Sequence, residues 1–201
     1  MLKIIGATLI ATGLAAGSAL AAPVSQNFGL LTSYDEGPSL SATFTGLPAN
    51  ITGDLTIDFA IGGDFNNPSI ETFDLLVNGT NFGTACSGAA AFGLPGACTN
   101  SAPMLGQLVI GNAVATTLLS GGSLTVTFVG TDEVDPVNYQ NLSEVTYFGV
   151  VFPERIFSDG VTMDLAGMVS YDAVAAVPLP AALPLAVAGF GLLGFAARRR
   201  G

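Results

Sequence analysis

DLTIDFAI, Asp54 to Ile61, alternates along its whole length: Leu55, Ile57, Phe59 and Ile61 fall on one face, and Thr56, Asp58 and Ala60 on the other. A period of two is the mark of a strand with one face in a core. Working outward, TFDLLVNGT repeats it through Phe73, Leu75 and Val77 and stops at Asn78-Gly79, a hairpin signal. SLTVTFVG places Leu124, Val126 and Phe128 on one face after Gly121-Gly122. SLSATFTG, GQLVIGN, VTYFGVVF and VTMDLAGMVSYDAV supply further strands, and no stretch of this middle region shows a helical period. Short alternating runs with Gly, Asn and Ser between them predict an all-β, antiparallel β-sandwich.

Charge narrows what such a domain can do. Fifteen carboxylates lie between Asp35 and Asp172, whereas Lys3 and Arg198, Arg199 and Arg200 sit at the two ends. Between the ends only Arg155 is basic, so the middle carries −14 while the whole chain carries −10. A surface of that sign repels phosphate backbones, which argues against nucleic acid as a partner. The chain has no histidine or tryptophan, and no lysine beyond Lys3. Ser-His-Asp, Cys-His and histidine-zinc chemistries are therefore out of reach, and no enzymatic activity is expected.

Hard oxygen donors gather in IGGDFNNPSIETFDLLVNGTNFG, where Asp64, Asn66, Glu71 and Asp74 fall close together. They suit Ca2+, which takes six to eight oxygens, although the spacing is not that of an EF-hand and an Asx-rich turn accounts for it equally. A second acidic run holds Asp132, Glu133, Asp135 and Glu144 around Asn138 and Tyr139. It would complete a cation site, line a glycan groove with Tyr139, or be solvated. Cys86 and Cys98 enclose a Gly/Ala-rich loop, and a disulfide between them would contribute roughly 3 kcal/mol in the loop-entropy view.

The two ends differ in kind from the middle. MLKIIGATLIATGLAAGSALAAP has a short basic start, an apolar stretch and the small-residue pattern Ala19-Leu20-Ala21, so residues 1–21 read as a signal peptide with Ala22 as the first mature residue. At the other end, the run from Val177 to Ala197 is uncharged and would reach about 30 Å as a helix, one hydrocarbon core. Arg198, Arg199 and Arg200 then form a positive-inside anchor. The expected organisation is a signal peptide (1–21), a β-sandwich (22–172), a linker with a short motif (173–181), a transmembrane helix (182–197) and an arginine tail (198–201).

The order of signal peptide, globular region, Val177-Pro178-Leu179-Pro180-Ala181, apolar helix and arginine cluster resembles the PEP-CTERM class of bacterial sorting signals in its VPLPA variant. Pro178-Leu179-Pro180 stands where the parent class has Pro-Glu-Pro. The resemblance implies export across the inner membrane and a transient membrane anchor. Processing near the motif by an exosortase-type transpeptidase would follow, with delivery to the cell surface or extracellular matrix alongside exopolysaccharide. A plain tail anchor is the other reading of the same segment.

The stretch from Gly63 to Gly83, through Asp64, Phe65, Asn66, Glu71, Val77, Asn78, Gly79 and Thr80, also resembles a turn-and-strand pattern of exported jelly-roll modules. That likeness implies a jelly-roll-like sandwich. For the domain itself, a structural or calcium-dependent interaction role in biofilm or exopolysaccharide is expected. The alternative is a carbohydrate-binding module that uses a sheet face or Tyr34, Tyr139, Tyr147 and Tyr171.

Overall fold

The computed structural model describes residues 21–49, 51–135 and 139–174. The signal peptide up to Leu20, including Ala19, lies outside them, as do most of the linker, the sorting motif, the apolar segment and the arginine tail. Among the described residues no helix is long and apolar enough to cross a membrane.

The strands are β1 (Ala21–Ser33), β2 (Ser39–Thr45), β3 (Leu55–Gly63), β4 (Phe73–Val77), β5 (Thr80–Ala85), β6 (Met104–Ile110), β7 (Ser123–Gly130), β8 (Val145–Tyr147), β9 (Val150–Phe152) and β10 (Met163–Val174). A short helix, α1 (Asn112–Leu119), joins β6 to β7. Eight strands form two antiparallel sheets, ordered β1-β10-β3-β6 and β2-β7-β4-β5, called the first and second sheet below; β8 and β9 form a separate hairpin. The pairing is nested: β1 bonds to β10, β2 to β7, β3 to β6 and β4 to β5, with β3–β10 and β4–β7 closing the sheets.

The alternation seen in the sequence becomes the inner face of each sheet. Leu55, Ile57, Phe59 and Ile61 are fully buried, as are Phe73, Leu75 and Val77 across from them and Leu124, Val126 and Phe128 beside those. Phe59 meets Phe128 edge to face with centroids 4.8 Å apart, and Phe73 completes the cluster. Rings in this arrangement add to the area they bury, because the positive edge of one meets the negative face of another.

Two expectations are corrected. A helix forms where none was read: NAVATTLL is too short to show a period, yet Ala115 and Leu119, four apart, are both buried against the sandwich. VTYFGVVF, read as one strand, is a hairpin. Phe148 and Gly149 both take positive φ (54° and 74°), which reverses the chain between Tyr147 and Val150.

Candidate functional site

The outer face of the first sheet is where the fold departs from a plain sandwich. Ala60 and Ala166, side by side on β3 and β10, point away from the core and are nevertheless fully buried. The hairpin β8–β9 covers them: Phe152 is buried on this second cluster, with Leu30, Val145, Tyr147, Phe148 and Val150 around it. Gly62 extends the row of small residues. A Cβ there would collide with the Tyr139 hydroxyl, so the strand admits the phenol only because glycine stands at that position.

Beneath this cover lies a closed polar network. Asp164, on β10, has no exposed surface. Arg155 grips it with two hydrogen bonds, Nε to Oδ2 at 2.9 Å and Nη2 to Oδ1 at 3.0 Å. Thr32 donates to Oδ1 at 2.7 Å and Tyr139 to Oδ2 at 3.1 Å. Burial first, and then the neighbouring Asp164, push the Tyr139 phenol far above its ordinary range. For Arg155, burial favours the neutral form, but the Asp164 carboxylate outweighs it and holds the guanidinium charged. With both ends satisfied, the pair tethers the covering segment to the sheet.

Where the cover stops, a groove of about 310 Å3 opens, lined by Asp58, Phe92, Gly93, Leu105, Gly106, Gln107 and Phe148. Its floor is β3 and β6, where Asp58 and Gln107 are register partners and the Gln107 amide donates to Asp58 Oδ1 at 2.6 Å. Leu105 lies beside them, 53% exposed. Each wall is the tip of a tight turn. Phe148-Gly149 caps the β8–β9 hairpin. Phe92-Gly93 caps a smaller one, in which Ala91 and Leu94 exchange hydrogen bonds of 3.2 and 2.8 Å. Phe92 has φ 54° and Gly93 φ 75°, the same conformation as the other wall. A two-residue turn with both central φ positive favours Asn-Gly, and a bulky residue at its first position is strained.

The Cys86–Cys98 disulfide is formed, with Cα atoms 5.2 Å apart. It closes the loop that carries Phe92. Within that loop the Gly88 N–H bonds to the Gly96 carbonyl at 3.0 Å, an approach too close for a side chain at Gly96. The Phe92 carbonyl in turn accepts from the Gln107 N–H at 2.8 Å, which fastens the turn to the edge of β6.

The four oxygen donors read as a calcium site divide between two surroundings. Asp64 and Glu71 are buried in the β3–β4 connection, where Glu71 accepts from the Asn67 N–H at 2.6 Å and closes the loop on itself. Asn66 is exposed there. Asp74 stands on the outer face of the second sheet, with its oxygens bonded by Thr84 and Asn81 of β5. Among the described residues, no group of three or more His, Cys, Asp or Glu is arranged to hold a metal ion.

In the second acidic run Asp132, Glu133 and Glu144 are exposed, and Asp135 is partly buried. Tyr139 does not line a glycan groove: it is 1% exposed and directed at Asp164. Tyr171 is buried as well, leaving Tyr34 and the half-buried Tyr147 of the four tyrosines.

Sequence reasoning passed over Phe92, Phe148, Asp58 and Gln107. The available signal was the Phe-Gly pair in AAFGLPG and again in TYFGVV, standing where turns ordinarily carry Asn-Gly. No protein-family model matches the chain, and no curated protein matches its sequence. The site is thus defined by its own geometry: two strained Phe-Gly turns flank a carboxylate and an amide on the face of a β-sandwich. Each ring is partly buried, Phe92 edge-on against Phe59 and Phe148 on the cluster under the hairpin.

Proposed function

We propose that this chain is an exported protein of the bacterial cell surface or extracellular matrix whose sandwich, a jelly roll, binds carbohydrate and performs no catalysis. The nested strand pairing supports the jelly-roll assignment, since eight strands coiled as a long hairpin give that order. The terminal segments support export, a transient anchor and processing by an exosortase-type transpeptidase at Val177 to Ala181. The observation that carries the binding role is the pair of Phe-Gly turns, both with left-handed phenylalanine, meeting at one groove.

Strain of this kind persists where the surroundings enforce it and collects at ligand sites. Aromatic faces attract the C–H-rich faces of sugar rings, and a carboxylate beside an amide fixes hydroxyl orientation. Retention of the full-length chain by immobilised exopolysaccharide tests the reading. Retention should fall at least about tenfold in Phe148→Ala, the weight of one good contact. No retention on any polysaccharide would sink it.

The calcium-dependent structural role is a second reading, favoured by the −14 charge of the middle region and by the buried Asp64 and Glu71. Thermal melts in chelator, in calcium and in magnesium at equal ionic strength test it. A calcium-specific rise that disappears in Asp64→Ala supports the role, and an equal response to both ions ends it.

A further inference from the structure

Accepting the carbohydrate reading, we infer that the ligand is a cationic amino-sugar polymer, a chain of hexosamines with free amino groups, and not a uronic-acid polymer. Charge complementarity decides this. Asp58 is the charged side chain of the groove, and Gln107 is the hydrogen-bond partner the structure gives it. The sole basic side chain among the described residues, Arg155, is paired with the buried Asp164 and does not line the groove.

A uronate laid over Asp58 would meet like charge and remove the carboxylate from water without a counter-charge. A neutral sugar would offer Asp58 hydroxyl donors but no counter-charge. A protonated amine would form a charge-assisted hydrogen bond to Asp58, with Phe92 and Phe148 at hand for cation–π contact.

The acidic floor continues, which favours a polymer over a single sugar. A second groove, of about 200 Å3, is lined by Pro23, Asp54, Thr56, Ser170, Tyr171 and Asp172. The two adjoin along β3, where Thr56 and Asp58 are alternate residues on one face. Asp54, the residue before β3, lies about 13 Å from Asp58 at the rise of an extended chain. Its Oδ1 accepts from the Asn112 N–H at 3.1 Å, and Asp172 lines the same groove. An extended oligosaccharide along β3 meets carboxylates at both ends and aromatic rings at one.

The test uses the full-length chain in a detergent without a sugar headgroup. It is titrated calorimetrically with three hexamers: glucosamine, N-acetylglucosamine and a uronate. The glucosamine hexamer should bind about tenfold or more tighter than its acetylated form, and the uronate not measurably. Asp58→Asn should bring the first two together. Glu36→Gln, which removes the same charge from the exposed β1–β2 connection, should not.

Equal binding of the two hexosamines, tighter uronate binding, or an equal effect of Glu36→Gln overturns the inference and leaves carbohydrate binding standing. Absence of binding by all three, with no retention on any polysaccharide, overturns both.

Discussion

On the outside of the second sheet, Ser41 meets Thr127 and Thr43 meets Thr125, each pair 2.9 Å apart across neighbouring strands. On the outside of the first sheet the corresponding positions hold Ala60, Gly62 and Ala166, with Asp164 at the end of the row. The two faces come from the same pleat and the same alternation, yet only the second is finished by its own strands. Hydroxyls satisfy one another and water. A row of methyls and hydrogens beside a carboxylate does neither, so a hairpin, an arginine and a tyrosine have to be brought over it. The groove lies at the border of that cover, with one wall belonging to the hairpin and the other to the disulfide loop.

Variants can break or sharpen this contrast. The largest effect is expected from Arg155→Ala, which leaves Asp164 buried without its cation and should remove about 3–5 kcal/mol in chemical denaturation. A loss near zero would mean that the cover contributes nothing to the fold. Replacing Cys86 and Cys98 together by serine should cost about 2–4 kcal/mol, and polysaccharide retention should fall with it because Phe92 loses its frame.

Tyr139→Phe removes one donor from Asp164 and should cost about 1–3 kcal/mol at neutral pH. Its pH signature is specific. The folded phenol keeps its proton where the unfolded one releases it near pH 10, so the stability from burying it neutral is intact below about pH 10 and declines above. Tyr171, raised by burial as well, adds to the same limb. Urea titrations at pH 8 and pH 11 should therefore differ less in Tyr139→Phe than in the parent, and an unchanged difference would remove Tyr139 from the account.

Phe148→Asn should change stability by under about 1 kcal/mol, because the strain relieved at φ 54° offsets the lost packing, while ligand retention disappears. Asn78, at φ 48° in the β4–β5 turn, shows how readily asparagine takes this conformation. On the opposite face Thr127→Val should stay within about 0.5 kcal/mol and leave binding untouched. A large loss there would erase the distinction between the faces.

Six strands of the sandwich were legible because each carries its own pattern: Leu55 to Ile61 and Leu124 to Phe128 are buried as their spacing required. The edge strands β1 and β5 bury too little to show such a pattern and were not read. The cover was not legible. In VTMDLAGM the aspartate occupies an ordinary outward position, and nothing near it announces Arg155 nine residues earlier or Thr32 far upstream. Ala60 and Ala166 gave a hint, since small outward residues on adjacent strands ask for something to lie on them, but pairing them requires the register of β3 and β10. Phe148 failed for a different reason. Its strand propensity argued for continuation, and Gly149 was the only local sign of a reversal. Phe92, Asp58 and Gln107 come from three separate stretches, and only the assembled sheet brings them to one groove.

β10 runs between β1 and β3 and is hydrogen-bonded on both sides, with the chain continuing past Val174 from its end. Its two ladders differ in reach: β3 pairs with Met163 to Ser170, whereas β1 stays paired as far as Val174. The end of the strand is fastened further by the Thr52 N–H, which donates to the Asp172 carbonyl at 2.9 Å. A pull on Val174 would therefore work first against the β1 pairing and reach the β3 ladder only afterwards. None of the pairings of the second sheet would share that load, since β10 has no ladder to them.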